Sequence, residues 1–331
     1  MIKHLKVPDN KAQEAKSFLE ESRALNGSFL PIKKEGYILW PLNFEVEGEI
    51  IECEGIKATR ISRDYRLRLP LEIQNIAPRA FDIFGDIAII KLSEELMIFS
   101  DIISKALLES HKNISKVALD LGVKGDYRIR RLEMLAGDSD FVSNHRENGF
   151  EFTLDISKVY FSPRLAMERK RIYDIAKPKE KVLDAFAGAS PFSVSLASKG
   201  CKVTAVDSNP NAEKWSHKNF KLNNVSDLNY NFFCSKIEDI LPDLSLYDRI
   251  IMNHPTNSLS YLQDLSQKLN IGGLIHLYKI VEDDHYFNVK EHLDSEFNCV
   301  FERQVHPYSP RSSLMVFDIS KSESTVQKTN Q

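Results

Sequence analysis

Several features are scarce in this chain, and each scarcity narrows what it can be. Only four cysteines occur among 331 residues, Cys53, Cys201, Cys234 and Cys299, and no two of them form a CxxC pair. A disulfide framework or a zinc knuckle is thereby excluded, and reduced thiols in a cytoplasm fit the pattern. No uninterrupted apolar run is long enough to span a bilayer, and the opening MIKHLKVPDNKAQEAK lacks the apolar core of a signal peptide. Excess basic charge is absent too: the net charge is −3 and the pI about 6.3. Indiscriminate binding to polyphosphate is therefore excluded, whereas RNA met through a local basic patch is not. The glycine pattern fails GxGxxG, which argues against a dinucleotide cofactor. What is present, 42% hydrophobic and 27% charged residues, is the composition of a globular protein with room for more than one domain.

Three regions can be separated. Residues 1–65 mix a polar helix, expected over about 10–24, with strand-like runs such as GYILWPL and GEIIECEGI. RISRDYRLRLP reads as a connector that ends in Pro70. Residues 66–149 form an α+β unit: DIAIIKL is a strand, and Ser93 is expected to cap a helix that buries Leu96, Phe99, Ile103, Ala106 and Leu107 on one face. From 150 to 320 strands alternate with helices, the mark of a mainly parallel α/β sheet. The strands are KVLDAFA, KVTAVD, NYNFFC, DRIIMN and GLIHLYKIV, then a terminal pair VFERQVH and SLMVFDI. Helices are expected to start at Ser162-Pro163, Ser190-Pro191 and Asn209-Pro210, where a side-chain oxygen takes an orphan N–H and proline supplies helical φ. Residues 321–331 read as a disordered tail.

The chemistry concentrates at two strand ends. VLDAFAGASPF runs from a strand through a tight turn into a helix, and Gly188 lets backbone approach a ligand closely. Asp207, at the end of KVTAVD, stands where a carboxylate can accept the two hydroxyls of a ribose. Without a pyrophosphate cradle, S-adenosylmethionine is favoured over a nicotinamide dinucleotide. IIMNHPT ends the fourth strand, and its Asn253 and Pro255 stand where an acceptor nitrogen can be gripped. By itself IIMNHPT reads equally as a plain Asn-x-Pro turn, whereas the Gly188 and Asp207 stretches favour a nucleoside over a mere turn and cap.

Longer stretches carry a resemblance: FDIFGDIAII, GDYRIRRLEMLAG, HRENGFEFTLDISKVYFSPRLAMERKRI, DAFAGASPFS, AVDSNP, NFKLNNV, RIIMNHP and GGLIHLYKI. Together they resemble the archaeal and eukaryotic tRNA (guanine-37) N1-methyltransferases over nearly the whole chain. The resemblance implies a class I, Rossmann-like S-adenosylmethionine methyltransferase domain with two smaller N-terminal α+β domains that contact tRNA. It implies that Glu168 is the general base, that Arg128 holds the guanine carbonyl, and that Asn253 works beside them. It further implies that Tyr160, Arg169, Phe186, Gly188, Asp207, Ser208, Lys236, Ile237, Asn253 and Pro255 surround the cofactor. Arg128, Arg130, Arg131, Arg146 and Arg164 would meet tRNA phosphates. A cytoplasmic monomer with no metal, no membrane and no obligate protein partner is the matching expectation.

Three departures from the family pattern stand out. Ser190 replaces a usual glycine, His254 interrupts the family's Asn-Leu-Pro, and Lys236 stands where an acidic residue is usual. Without the resemblance, Glu168 reads as a charged helix residue salt-bridged to Lys170 or Arg171, and YRIRR as an exposed strand. Two other readings stay open. One is a wybutosine-pathway enzyme that methylates a tricyclic guanosine or transfers the aminocarboxypropyl arm. The other is a catalytically silent RNA-binding protein.

Overall fold

The computed structural model describes residues 1–22, 24–26, 28–57, 64–125, 127, 129–283, 287–292 and 297–321. Arg128 and the tail 322–331 lie outside the described residues. The chain divides into two compact units, Met1–Leu67 and Arg68–Gln331.

The first unit is a four-stranded antiparallel sheet with one helix. Strands β1 (Ile2–Pro8), β2 (Ile32–Lys34), β3 (Tyr37–Pro41) and β4 (Ile50–Cys53) lie in the order β2-β3-β1-β4. Helix α1 (Ala12–Glu21) is shorter than the sequence suggests. Its buried Leu19 joins Leu5, Val7 and Trp40 in a small core.

The second unit opens with a short helix α2 (Leu71–Gln74) and a four-stranded sheet of β5 (Asp82–Phe84), β6 (Ile87–Ile90), β7 (Lys116–Lys124) and β8 (Ile129–Ala136). A 3₁₀ turn over Glu94–Phe99 precedes helix α3 (Ser100–Ser110). Leu96, Ile103, Ala106 and Leu107 are buried as their spacing demands. Ser93 makes no capping bond and donates instead to the Glu95 carboxylate. A hairpin of β9 (Val142–Glu147) and β10 (Phe150–Asp155) follows, and then α4 (Ala166–Ile175).

The rest is β11 (Lys181–Asp184), α5 (Pro191–Ser198), β12 (Lys202–Asp207), α6 (Pro210–Leu222), β13 (Tyr230–Cys234), α7 (Ile237–Ile240), β14 (Tyr247–Met252), α8 (Leu262–Ser266), β15 (Leu269–Glu282), β16 (Phe297–Ser309) and β17 (Ser312–Lys321). Seven of these strands form one sheet in the order β13-β12-β11-β14-β15-β17-β16. Pairing is parallel from β13 to β15 and antiparallel for β15–β17 and β17–β16. Successive residues of a strand point to opposite faces, so Val182 enters one core and Leu183 the other. Both faces of β11 and β14 are covered, which is why those two strands read as apolar runs rather than alternations. The strand order reverses at β11, between β12 and β14, and a crevice opens there at the carboxyl ends.

Of the three caps expected before a proline, two differ from expectation. Asn209 caps α6 by accepting the Asn211 N–H at 3.0 Å. Ser162 makes no side-chain capping bond. Ser190 adopts a left-handed conformation, φ +63°, and makes no cap bond. That geometry turns its hydroxyl away from the helix and onto Ser216, at 2.5 Å.

Candidate active site

A cavity of about 500 Å³ occupies that crevice, a size that takes a nucleoside-scale ligand. The turn after β11 forms its floor. Gly188 has φ +55°, and a Cβ there would stand 3.4 Å from the Tyr160 carbonyl oxygen. Glycine suits the turn because the positive φ would strain any other residue, while the Cβ contact is ordinary. The Asp207 carboxylate, at the end of β12, accepts the Gly188 N–H at 2.7 Å and the Asn209 N–H at 2.9 Å. Burial pushes its pKa up, against the pull of those two backbone donors. Its neighbour Asp184 is completely enclosed; burial, with the nearby Asp207 charge, raises it to about 7. Ser193 donates its hydroxyl to Oδ2 of Asp184 at 2.7 Å.

Of the residues expected around a cofactor, Tyr160, Arg169, Phe186, Gly188, Asp207, Ser208, Lys236, Ile237 and Asn253 line the cavity. Pro255 does not; its carbonyl accepts the Ile280 N–H at 3.1 Å and so faces β15. Sequence reasoning missed Glu238, Tyr261, Asn257 and Tyr127, which also line it. Glu238 was within reach, since it follows the misplaced Lys236 by two residues at the start of α7. Tyr261 ends a short 3₁₀ turn, Ser258–Tyr261, that leads into α8 and carries no motif. Burial and the Glu238 carboxylate, which shares a hydrogen bond with it, raise the Tyr261 hydroxyl's pKa. The His254 ring stands 5.0 Å from Phe186, and Tyr261 lies 5.2 Å from Phe186, giving a three-ring aromatic wall.

Arg169 is buried, and its guanidinium is held from several sides. It makes a bidentate pair with Glu147, donates to the Ser162 carbonyl at 3.0 Å, and lies 4.9 Å from the Phe161 ring. Burial alone would raise Glu147, but hydrogen bonds from His145 and Arg169 outweigh it and hold the carboxylate below its usual range.

Glu168 is absent from the cavity wall, although Leu165 and Arg169 on either side contribute to it. Its side chain is wholly buried between α4 and the sheet. Arg171 Nε and the Tyr278 hydroxyl each donate to Oε2 at 3.0 Å, and Arg303 pairs with Oε1. A buried carboxylate must be paired in this way or neutralised.

The basic residues divide. Arg130 is nearly buried and bridges Asp82 at 3.0 Å and Asp120 at 3.5 Å, so its charge is already matched. Arg131 is exposed. Arg164 is half-exposed and pairs with Asp82 at 2.8 Å. Arg146 is 79% exposed and pairs with Glu151. Among the described residues no helix is long and apolar enough to cross a membrane.

Comparison with known proteins decides the lineage. The pattern described as the TRM5/TYW2 methyltransferase domain matches residues 143–300, and that of the TYW2 N-terminal domain matches residues 65–140. The tRNA (guanine(37)-N(1))-methyltransferase Trm5b of Pyrococcus abyssi is 37% identical over 335 residues, covering 95% of this chain and 97% of that protein. The chain belongs to the tRNA (guanine-37) N1-methyltransferase family. A crystal structure of wild-type Trm5b from P. abyssi superposes with a TM-score of 0.76 at 33% identity, over 97% of this chain and 100% of the other. The complex of aTrm5 with tRNALeu gives 0.71 at 28%, covering 96% and 99%. Methanocaldococcus jannaschii Trm5 in complex with adenosine gives 0.65 at 25%, covering 97% and 99%. The seven-stranded sheet of this family member is accordingly a class I methyltransferase fold, as its sequence implied.

Proposed function

We propose that this chain transfers a methyl group from S-adenosylmethionine to N1 of guanine 37 in tRNA. The observation that carries the reading is the convergence of Asp207, Gly188 and Asn253 on one cavity at the carboxyl ends of β12, β11 and β14. The residues fit the cofactor. Asp207 keeps lone pairs for ribose hydroxyls beyond its two backbone donors. The aromatic wall of Phe186, His254 and Tyr261 offers ring faces, and Glu238 supplies an acceptor for an exocyclic amine where Lys236 cannot. Bound there, the cofactor would supply an electrophilic methyl group. The relative solved with adenosine and the relative solved with tRNALeu support the two ligand classes.

Guanine N1 carries a proton at neutral pH, so a base must remove it as N1 takes the methyl group. A positioned base contributes about 10²–10⁴-fold in rate. In this reading Glu168 takes that role, and its carboxylate has to turn from its buried partners to reach the base. The developing negative charge on the guanine carbonyl falls to Arg128 in this reading. Exposed Arg131, and Arg146 on exchanging its surface partner Glu151, would meet phosphates, giving binding that weakens with salt.

The test is methyl transfer to unmodified tRNA carrying guanine or adenine at position 37, followed by nucleoside mass analysis. Guanine-dependent N1-methylguanosine supports the reading, and no product with either tRNA refutes it. Glu168→Gln is expected to lower turnover at least about 100-fold while cofactor affinity holds. The match of residues 65–140 to the TYW2 N-terminal domain favours a second reading, aminocarboxypropyl transfer to a modified guanosine. The mass of the product separates the two.

A further inference from the structure

The face of the large sheet beneath α4 carries a continuous row of charges. Glu180 accepts from Arg249 Nε at 2.9 Å, and Arg249 donates to His276 Nε2 at 2.6 Å. Because arginine can only donate, Nε2 of His276 is an acceptor, and its proton sits on Nδ1, which donates to Asp318 at 2.6 Å. Burial also keeps His276 neutral by lowering its pKa. Asp318 in turn accepts both terminal nitrogens of Arg171, at 2.5 and 3.1 Å. Arg171 then reaches Glu168. The row thus holds three carboxylates and, counting Arg303, three guanidiniums around one neutral imidazole, a balanced set that can be buried.

The row treats the two oxygens of Glu168 differently. Oε2 is fixed by Arg171, itself clamped by Asp318, and by the hydroxyl of fully buried Tyr278. Among the described residues Oε1 has one partner, Arg303 on β16, whose side chain is 46% exposed. Tyr278 and Arg303 both pair in register with Val316 of the intervening strand β17, so they approach Glu168 from either side of it. Among the described residues bonded to Glu168, Arg303 is the most exposed, so it is the one that can exchange the carboxylate for water or another anion.

We propose that Arg171 positions Glu168 through Oε2, and that Oε1 is the proton acceptor, uncovered when Arg303 lets go. The step is balanced: the guanine N1–H bond breaks to give Oε1–H, N1 forms its bond to the methyl carbon, and the sulfur keeps the electron pair of the broken S–C bond. The inference rests on Glu168 being the base and adds which oxygen reacts and what covers it.

Single-turnover methyl transfer at saturating cofactor and tRNA tests it, with tRNA affinity and thermal midpoint measured alongside. Arg303→Gln removes the cover, and the rate constant is expected to rise several-fold. Arg171→Gln frees the carboxylate from its anchor, and the rate constant is expected to fall at least about tenfold while cofactor affinity holds. If Arg171→Gln does not fold, Asp318→Asn, which loosens the clamp on Arg171 at nearly constant shape, carries the same prediction. A rate constant for Arg303→Gln that is unchanged or lower overturns the proposal, as does a folded Arg171 or Asp318 variant with wild-type rate. Glu168→Gln distinguishes the levels: if it retains full rate, the base assignment itself is wrong, whatever Arg303→Gln does.

Discussion

The backbone N–H of Gly188 donates to the Asp207 carboxylate at 2.7 Å, tying the turn after β11 to the end of β12. Asp207 therefore shapes the cavity floor as well as facing its ligand. Asp207→Asn substitutes an amide donor for one of the two oxygens that hold the Gly188 and Asn209 N–H groups. Hydrogen bonds to charged groups are worth about 1.5–3 kcal/mol, so cofactor affinity is expected to fall by roughly 10- to 100-fold. Calorimetric titration with S-adenosylmethionine measures this. Unchanged affinity would remove Asp207 from the binding site.

How far the sequence foretold this arrangement depends on the range of the interaction. Strands β11 and β14 were legible because a parallel strand buried on both faces must be an apolar run, and VLDAF and RIIM are such runs. Asp207 was legible because it terminates a strand, β12. The surroundings of Glu168 were not. In AMERKRIYDI charges fall on every side, so periodicity cannot say which face turns inward, and the partners Arg303 and Asp318 sit far along the chain in β16 and β17. Ser190 misled for a local reason: Ser-Pro is a cap signature, but the tight turn before it demands positive φ, which no side-chain motif announces.

Ser190 occupies that left-handed position, where the family pattern has glycine. A non-glycine residue there costs about 1–2 kcal/mol, partly offset by the buried bond to Ser216. Ser190→Gly relieves the strain and loses the bond, and glycine also gains entropy when unfolded. Its stability is expected within about 1 kcal/mol of wild type. Ser190→Ala keeps the strain and orphans the Ser216 hydroxyl, so it is expected to be less stable than Ser190→Gly. Urea unfolding of the pair checks the order, and Ala equal to or above Gly would contradict it.

Arg169 is buried in the cavity wall with Glu147 as its carboxylate partner. Removing one member of a buried pair leaves the other uncompensated, at a cost of about 3–5 kcal/mol. Glu147→Gln is accordingly expected to lower the thermal midpoint sharply and to weaken cofactor binding through displacement of Arg169. A midpoint within experimental error of wild type would show that the Ser162 carbonyl and the Phe161 ring suffice to hold the guanidinium.

Asp184 gives the fold a distinctive dependence on pH. Its folded pKa is raised to about 7, above the roughly 3.9 of an unfolded aspartate. Between these values the folded chain binds a proton that the unfolded chain has released, so stability falls as pH rises. The contribution is fully present below about pH 4 and is lost as pH passes through about 7, at most on the order of 4 kcal/mol. Asp184→Asn stays neutral throughout and can still accept from Ser193. Asp207 changes in the same direction under burial, so the variant's curve is expected to be flatter without being level. Unfolding free energies at about pH 5 and about pH 8 give the comparison. The wild type is expected to lose more stability than Asp184→Asn across that interval, and parallel curves would mean that Asp184 is ionised in the folded protein at both values.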